Sequence, residues 1–242
     1  MVREYHKWFS ERLQRDMELL VYGYAGARVI LFPTRTGRYY DYENWNIIKS
    51  LQHFIENGHI QIYALDSIDQ ESFYCFWAHP AGRLERHIQY ENYILNEVIP
   101  LTRAKNENPC LMSVGCSMGA FHAVTIALRH PHLFSKVVGL SGRYDLTTQL
   151  GMFDNLLNGY FDDAVHYLMP TRYVPYMAEG DQLNRIRKLE ITLACGREDV
   201  FHSNNQEFSH RLKEKDISHN FFEWDGMAHK PKYWQQMLPM YI

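Results

Sequence analysis

The chain has 242 residues and a formal charge of 25 − 28 = −3. Hydrophobic residues make up 46% and charged residues 22%, enough apolar side chain for a sizeable core and too much for a disordered chain. With no Lys/Arg block, this balance argues against a nucleic-acid partner or an anionic membrane surface.

Two segments rich in Tyr, Trp, Val and Leu open the chain, Glu4 to Phe9 and Met17 to Gly23, and predict a leading antiparallel pair. Arg28 to Pro33 reads as a short buried strand ended by proline. A helix is expected over Asn44 to Glu56, where Trp45, Ile48, Leu51 and Ile55 recur three or four apart and Gly58 follows as a stop. Ile60 to Leu65 is the next strand. A long amphipathic helix is expected from Leu84 to Leu101, its apolar stripe interrupted by Glu91. Cys110 to Gly115 reads as a strand, Met118 to Arg129 as a helix and Lys136 to Leu140 as a strand. Thr147 to Leu183 lacks clean periodicity and is expected to be an irregular helical insertion, with outer limits near 147–185. Leu189 to Cys195 (strand), Asn204 to Lys215 (helix), His219 to Trp224 (strand) and a closing helix from about Lys232 complete the series.

Strands alternating with helices imply a mostly parallel sheet covered on both faces, in one domain over 1–242. Cys75, Cys110, Cys116 and Cys195 form no CxxC and read as buried free thiols of a reducing compartment, with no disulfide frame or zinc site. The stretch from Asn108 to Leu128 carries no formal charge, but Pro109, Gly115, Gly119 and His122 make it too polar and broken for a membrane span. The first residues hold no apolar run of the signal-peptide kind, so a cytoplasmic location is expected.

Gly115-Cys116-Ser117-Met118-Gly119 fits G-x-S-x-G between a strand and a helix, the setting of a nucleophile elbow. Its glycines are explained by crowding, since side chains at 115 and 119 would strike the neighbouring strand or helix. A serine hydroxyl needs a base, and the base an orienting acid. The order serine, acid, histidine, each after a strand, selects Asp199 in the loop Gly196-Arg197-Glu198-Asp199 and His229 in the loop Asp225 to His229. Asp145, one strand earlier, and Glu198 are the rival acids. Oxyanion donors are expected at the backbone N–H of Met118 and in the loop Pro33 to Gly37, from Thr34 or Arg35. Arg35, Tyr39, Tyr40 and Trp45 are candidate pocket residues.

These residues carry a family resemblance. The elbow at 115–120, His130-Pro131-His132-Leu133-Phe134, Val137 to Gly142, the helix with Tyr90 and Glu97 to Pro100, and Cys195-Gly196-x-x-Asp199 resemble the α/β-hydrolases. The nearest branch is the putative esterases, with esterase D and the feruloyl-esterase-type domains. One departure stands after the third strand, where many relatives have His-Gly and this chain has Phe32-Pro33-Thr34. The resemblance implies a serine esterase without cofactor or metal that acts on a small or medium ester through an acyl-enzyme. An acyltransferase of the same fold, or an inactive hydrolase-fold binding protein, is the alternative.

Overall fold

The computed structural model describes residues 1–242. Eight strands form one sheet: β1 (Arg3–Ser10), β2 (Arg15–Tyr22), β3 (Ala27–Phe32), β4 (Ile60–Leu65), β5 (Leu111–Cys116), β6 (Lys136–Leu140), β7 (Glu190–Gly196) and β8 (Asn220–Trp224). Their order is β1-β2-β4-β3-β5-β6-β7-β8. The leading pair is a hairpin, and β2 is also antiparallel to β4, so β2 alone runs against the rest. All other pairings are parallel.

Strand residues alternate between the two faces, and this splits the core. Leu19, Val21, Ile30, Tyr63 and Val137 face one apolar cluster, and Leu20, Val29, Leu31, Ile62 and Val138 face the other. Because β3 to β7 are covered on both sides, they read as mainly apolar runs, with Arg28, Gln61, Ser113 and Thr192 as buried polar exceptions.

The helix expected over Asn44 to Glu56 is three short ones: α1 (Asp41–Asn44), α2 (Ile47–Ser50) and α3 (Gln52–Glu56). The break lies at Asn46, whose left-handed φ of 54° no α-helix accommodates. The long helix is a rod of α4 (Pro80–Tyr93), a π turn (Ile94–Val98) and α5 (Ile99–Lys105). Pro100 has no N–H for a continuing ladder and crowds the carbonyl four residues back, and the wider turn before it relieves both. The π turn carries Glu97, whose carboxylate accepts from Trp8 Nε1 (2.7 Å) and Ser10 Oγ (2.8 Å), docking the hairpin on the rod. Glu91, the break in the apolar stripe, is buried against Arg129 and His130.

α6 (Met118–Arg129) follows β5 and is buried along nearly its whole length, so the uncharged stretch is a strand and a core helix. No helix is long and apolar enough to cross a membrane. The segment after β6 begins without helix and then forms α7 (Asp163–Leu168), α8 (Pro170–Tyr173), a 3-10 turn and α9 (Asp181–Ile186). Leu156, Leu157, Val165 and Leu168 from this segment pack with Phe73 and Phe121 in a third apolar cluster. α10 (His202–Lys213) and α11 (Pro231–Tyr241) complete the fold. The four cysteines are unpaired; three are buried, whereas Cys110, the residue just before β5, is half-buried.

Candidate active site

Ser117 stands between β5 and α6 with φ 56° and ψ −120°, a left-handed conformation that costs a non-glycine residue about 1–3 kcal/mol. Neighbouring contacts hold the strain. The Ser117 N–H donates to the Leu140 carbonyl (2.8 Å) and the Cys116 N–H to the Tyr42 hydroxyl (3.2 Å). The glycines have the crowding role that the sequence assigned them. A Cβ at Gly115 would collide with the Gly119 backbone, and one at Gly119 with the Phe32 carbonyl.

The register places Phe32 beside Gly115, Cys116 beside Leu140 and Gly196 beside Trp224. The loops after β3, β5, β7 and β8 therefore leave the sheet at one edge, as their parallel direction requires. Asp199 and His229 lie in two of them. His229 Nδ1 is 2.9 Å from Asp199 Oδ2, and His229 Nε2 is 3.1 Å from Ser117 Oγ. Asp199 is buried, and its Oδ1 accepts the Phe201 N–H at 3.0 Å. The ring of His229 packs against Phe201 and Trp234. Gly196 lets the two loops meet, because a Cβ there would strike the backbone at Gly226 and Met227.

The rival acids are engaged elsewhere. Asp145 pairs with Arg172 (3.0 Å) and accepts the Thr147 N–H, while Glu198 is exposed. Among other histidines, His202 pairs with Glu223 and His219 with Ser209.

Met118 is the first residue of α6, so its N–H lacks an intrahelical acceptor. The Thr34 N–H, in a buried residue, has no acceptor in the protein. Two neighbouring amides in that loop are used: Thr36 donates to Asp69 Oδ2 (2.8 Å) and Gly37 to the Thr34 carbonyl (2.8 Å). Asp69 is itself buried and meets His122 at 3.2 Å, which fixes the loop from below. Tyr42 fixes it from the other side by donating to the Phe32 carbonyl (2.8 Å).

Ser117, Met118, Thr34 and His229 line a cavity of about 270 Å³, with Arg35, Arg143, Tyr74 and the rings of Phe153, Phe201 and Trp234. Of the pocket residues expected from sequence, Arg35 is there. Tyr39 and Tyr40 instead pack on each other, and Trp45 packs behind the site on Tyr42 and Trp234. Arg143, Tyr74, Asp69 and Tyr42 were not legible in the sequence; no motif marks them, and Tyr74, Asp69 and Tyr42 meet partners far along the chain. No group of three His, Cys, Asp or Glu side chains is placed to hold a metal ion.

The family model described as putative esterase matches residues 10–241. Among solved structures, a ferulic acid esterase superposes with a TM-score of 0.76 at 16% identity, over 99% of this chain and 95% of that one. An S-formylglutathione hydrolase from Agrobacterium tumefaciens gives 0.75 at 15% identity, over 98% and 91%. The enterobactin esterase of Shigella flexneri gives 0.64 at 20%, over 97% of this chain but 56% of its own. No curated protein matches the chain by sequence. At these identities the structural likeness carries the fold, and the family match carries the class. The chain belongs to the putative esterase family, and so to the serine carboxylic ester hydrolases built on the α/β-hydrolase fold.

Proposed function

We propose that the chain hydrolyses a small or medium carboxylic ester through an acyl-enzyme on Ser117. The hydrogen-bonded line from Asp199 through His229 to Ser117 carries the reading. His229 Nδ1–H donates to the buried Asp199 carboxylate, which leaves Nε2 free to accept the Ser117 proton. Ser117 Oγ attacks the ester carbonyl, and the developing oxyanion takes the N–H groups of Met118 and Thr34. The carbon–oxygen bond to the alcohol then breaks, and His229 returns the proton to the departing alcohol. Water, deprotonated by the same histidine, attacks the acyl carbon; the acid is released and Ser117 regains its proton. No step calls on a metal or cofactor.

The site acts within one domain, and the unpaired Cys75, Cys116 and Cys195 support a reducing, cytoplasmic setting. A fluorophosphonate probe tests the mechanism: it should add once per chain, and peptide mass spectrometry should place it on Ser117. An adduct on another serine, or none on protein that hydrolyses esters, overturns the assignment.

A further inference from the structure

The wall of the Ser117 cavity carries two cations that no acid in the protein neutralises. Arg143 is 3% exposed. Its Nη2 donates to the carbonyls of Thr148 (2.8 Å) and Asp154 (2.6 Å), its Nε is buried without a partner, and its Nη1 makes no hydrogen bond. Arg35 extends over the Tyr74 ring, 5.9 Å from its centroid, and its side chain makes no hydrogen bond or ion pair. Other arginines near the site are matched: Arg38 by Asp66 and Glu18, and Arg172 by Asp145. Arg28 and Arg83 also lack acids, but they do not line this cavity.

Arg35, Arg143, Tyr74 and Phe153 also line a second, outer space of about 370 Å³. They therefore stand at the shared boundary, or neck, between it and the cavity that holds Ser117. The acids around the neck do not cancel the cations. Asp199 is covered by His229, Asp145 by Arg172 and Thr147, and Asp69 by His122 and Thr36. Asp154 lines the outer space, where its side chain is solvated and unpaired while its carbonyl takes Arg143. Burial lowers the guanidinium of Arg143 from its ordinary pKa, with Asp145 and Asp154 opposing the shift only in part, and the cation lies 5.9 Å over the Phe201 ring without an ion-pair partner. The planar fork that a carboxylate fits with two hydrogen bonds is free on Arg35, whereas Arg143, with Nη2 taken by two carbonyls, offers a carboxylate its Nη1 hydrogens and its charge.

We propose that the enzyme is specific for esters that also bear a carboxylate, held at the neck by Arg143 and Arg35 while the ester carbonyl lies at Ser117. The rings of Phe153, Phe201 and Trp234 suit an apolar spacer between the two groups. This inference rests on Ser117 being the nucleophile.

The test compares matched esters. In one arm the carboxylate is on the acyl side: the para-nitrophenyl monoester of adipic acid against para-nitrophenyl hexanoate. In the other it is on the leaving group: para-carboxyphenyl butyrate against phenyl butyrate. After correction for spontaneous hydrolysis, kcat/KM for the carboxylate ester should exceed its neutral match by about tenfold or more in one arm, the ratio one charge-assisted pair supplies. Arg35→Gln and Arg143→Gln should each collapse that ratio, Arg143→Lys should restore part of it, and added salt should lower it. Arg143 also anchors carbonyls, so Arg35→Gln and Arg35→Glu decide the matter if Arg143→Gln does not fold. Ester hydrolysis with Ser117 labelling but no charge preference in either arm overturns this inference alone. Neither hydrolysis nor labelling would remove the esterase reading and this inference with it.

Discussion

The Tyr42 hydroxyl joins the ends of two strands: it donates to the Phe32 carbonyl at 2.8 Å and accepts the Cys116 N–H at 3.2 Å. One phenol thus fixes the strand that leads to Thr34 relative to the strand that leads to Ser117. Tyr42→Phe should leave a buried N–H and a buried carbonyl unpaired, at about 1–3 kcal/mol. In a chain of this length each kcal/mol lowers Tm by about 2–4 °C. Thermal unfolding should therefore show Tm down by several degrees, with kcat reduced as the proposed oxyanion donors Met118 and Thr34 lose register. An unchanged Tm would mean that water replaces the hydroxyl without loss.

Asp199→Asn can present an N–H to His229 and favour the wrong tautomer. It also removes the charge that stabilises the imidazolium, so kcat should fall by about 10²–10⁴ with KM little changed. Asp145→Asn should act on the fold through Arg172 and Thr147 and cost less than about tenfold in kcat. Assaying both on one ester, after circular dichroism confirms folding, separates the two acids. A crippled Asp145→Asn beside a near-normal Asp199→Asn would move the acid to the earlier loop.

Gly196→Ala tests how closely the histidine loop must approach. The added Cβ meets backbone at Gly226 and Met227, which cannot rotate away, so His229 must shift. A displacement near 1 Å is enough to lower kcat by about 10²-fold, with stability affected less than catalysis. Steady-state kinetics equal to those of the native chain would show that the loop adjusts without moving the base.

His87 provides a stability prediction. Burial, aided by the neighbouring His122, lowers its pKa to about 3 from an ordinary 6.5, and neither ring nitrogen has a partner. The unfolded chain therefore binds a proton at a pH where the folded chain does not. The stability tied to this group is complete above pH 6.5 and falls as pH drops towards 3. The loss from this one group reaches about 1.4 kcal/mol per pH unit. Urea unfolding between pH 4 and 7 should show that slope, and His87→Phe should flatten it by about one proton. A variant with the native slope would show that His87 takes no part in acid unfolding.

The parts legible in the sequence are those with local causes. Val29 to Leu31 and Leu193 to Cys195 are apolar without a break because the sheet is covered on both faces. Ser117, Asp199 and His229, which lie within hydrogen-bond reach of one another in sequence order 117, 199, 229, follow from a short motif and from strand order, so their positions could be read before their contacts were seen. What escaped depends on distance along the chain. Asp69 meets His122 across 53 residues and Tyr42 meets Cys116 across 74. No periodicity encodes such pairs. The helix expected from Asn44 failed for a subtler reason: the apolar spacing was correct, but Asn46 takes the left-handed conformation and divides the stripe among three turns.

The wall opposite the sheet edge is moored in a way that bears on how the pocket can change over time. Arg83 donates to the carbonyl of Leu156 (2.8 Å), and Arg143 to those of Thr148 and Asp154. Every residue type carries the same carbonyl, so this anchorage does not depend on which side chains stand between 148 and 156. Met152, Phe153 and Asn155 face the outer space from that stretch. Substitutions there can reshape what the enzyme accepts without releasing the segment. Drift in selectivity among close relatives should therefore concentrate between 148 and 156, while positions 83 and 143 stay arginine.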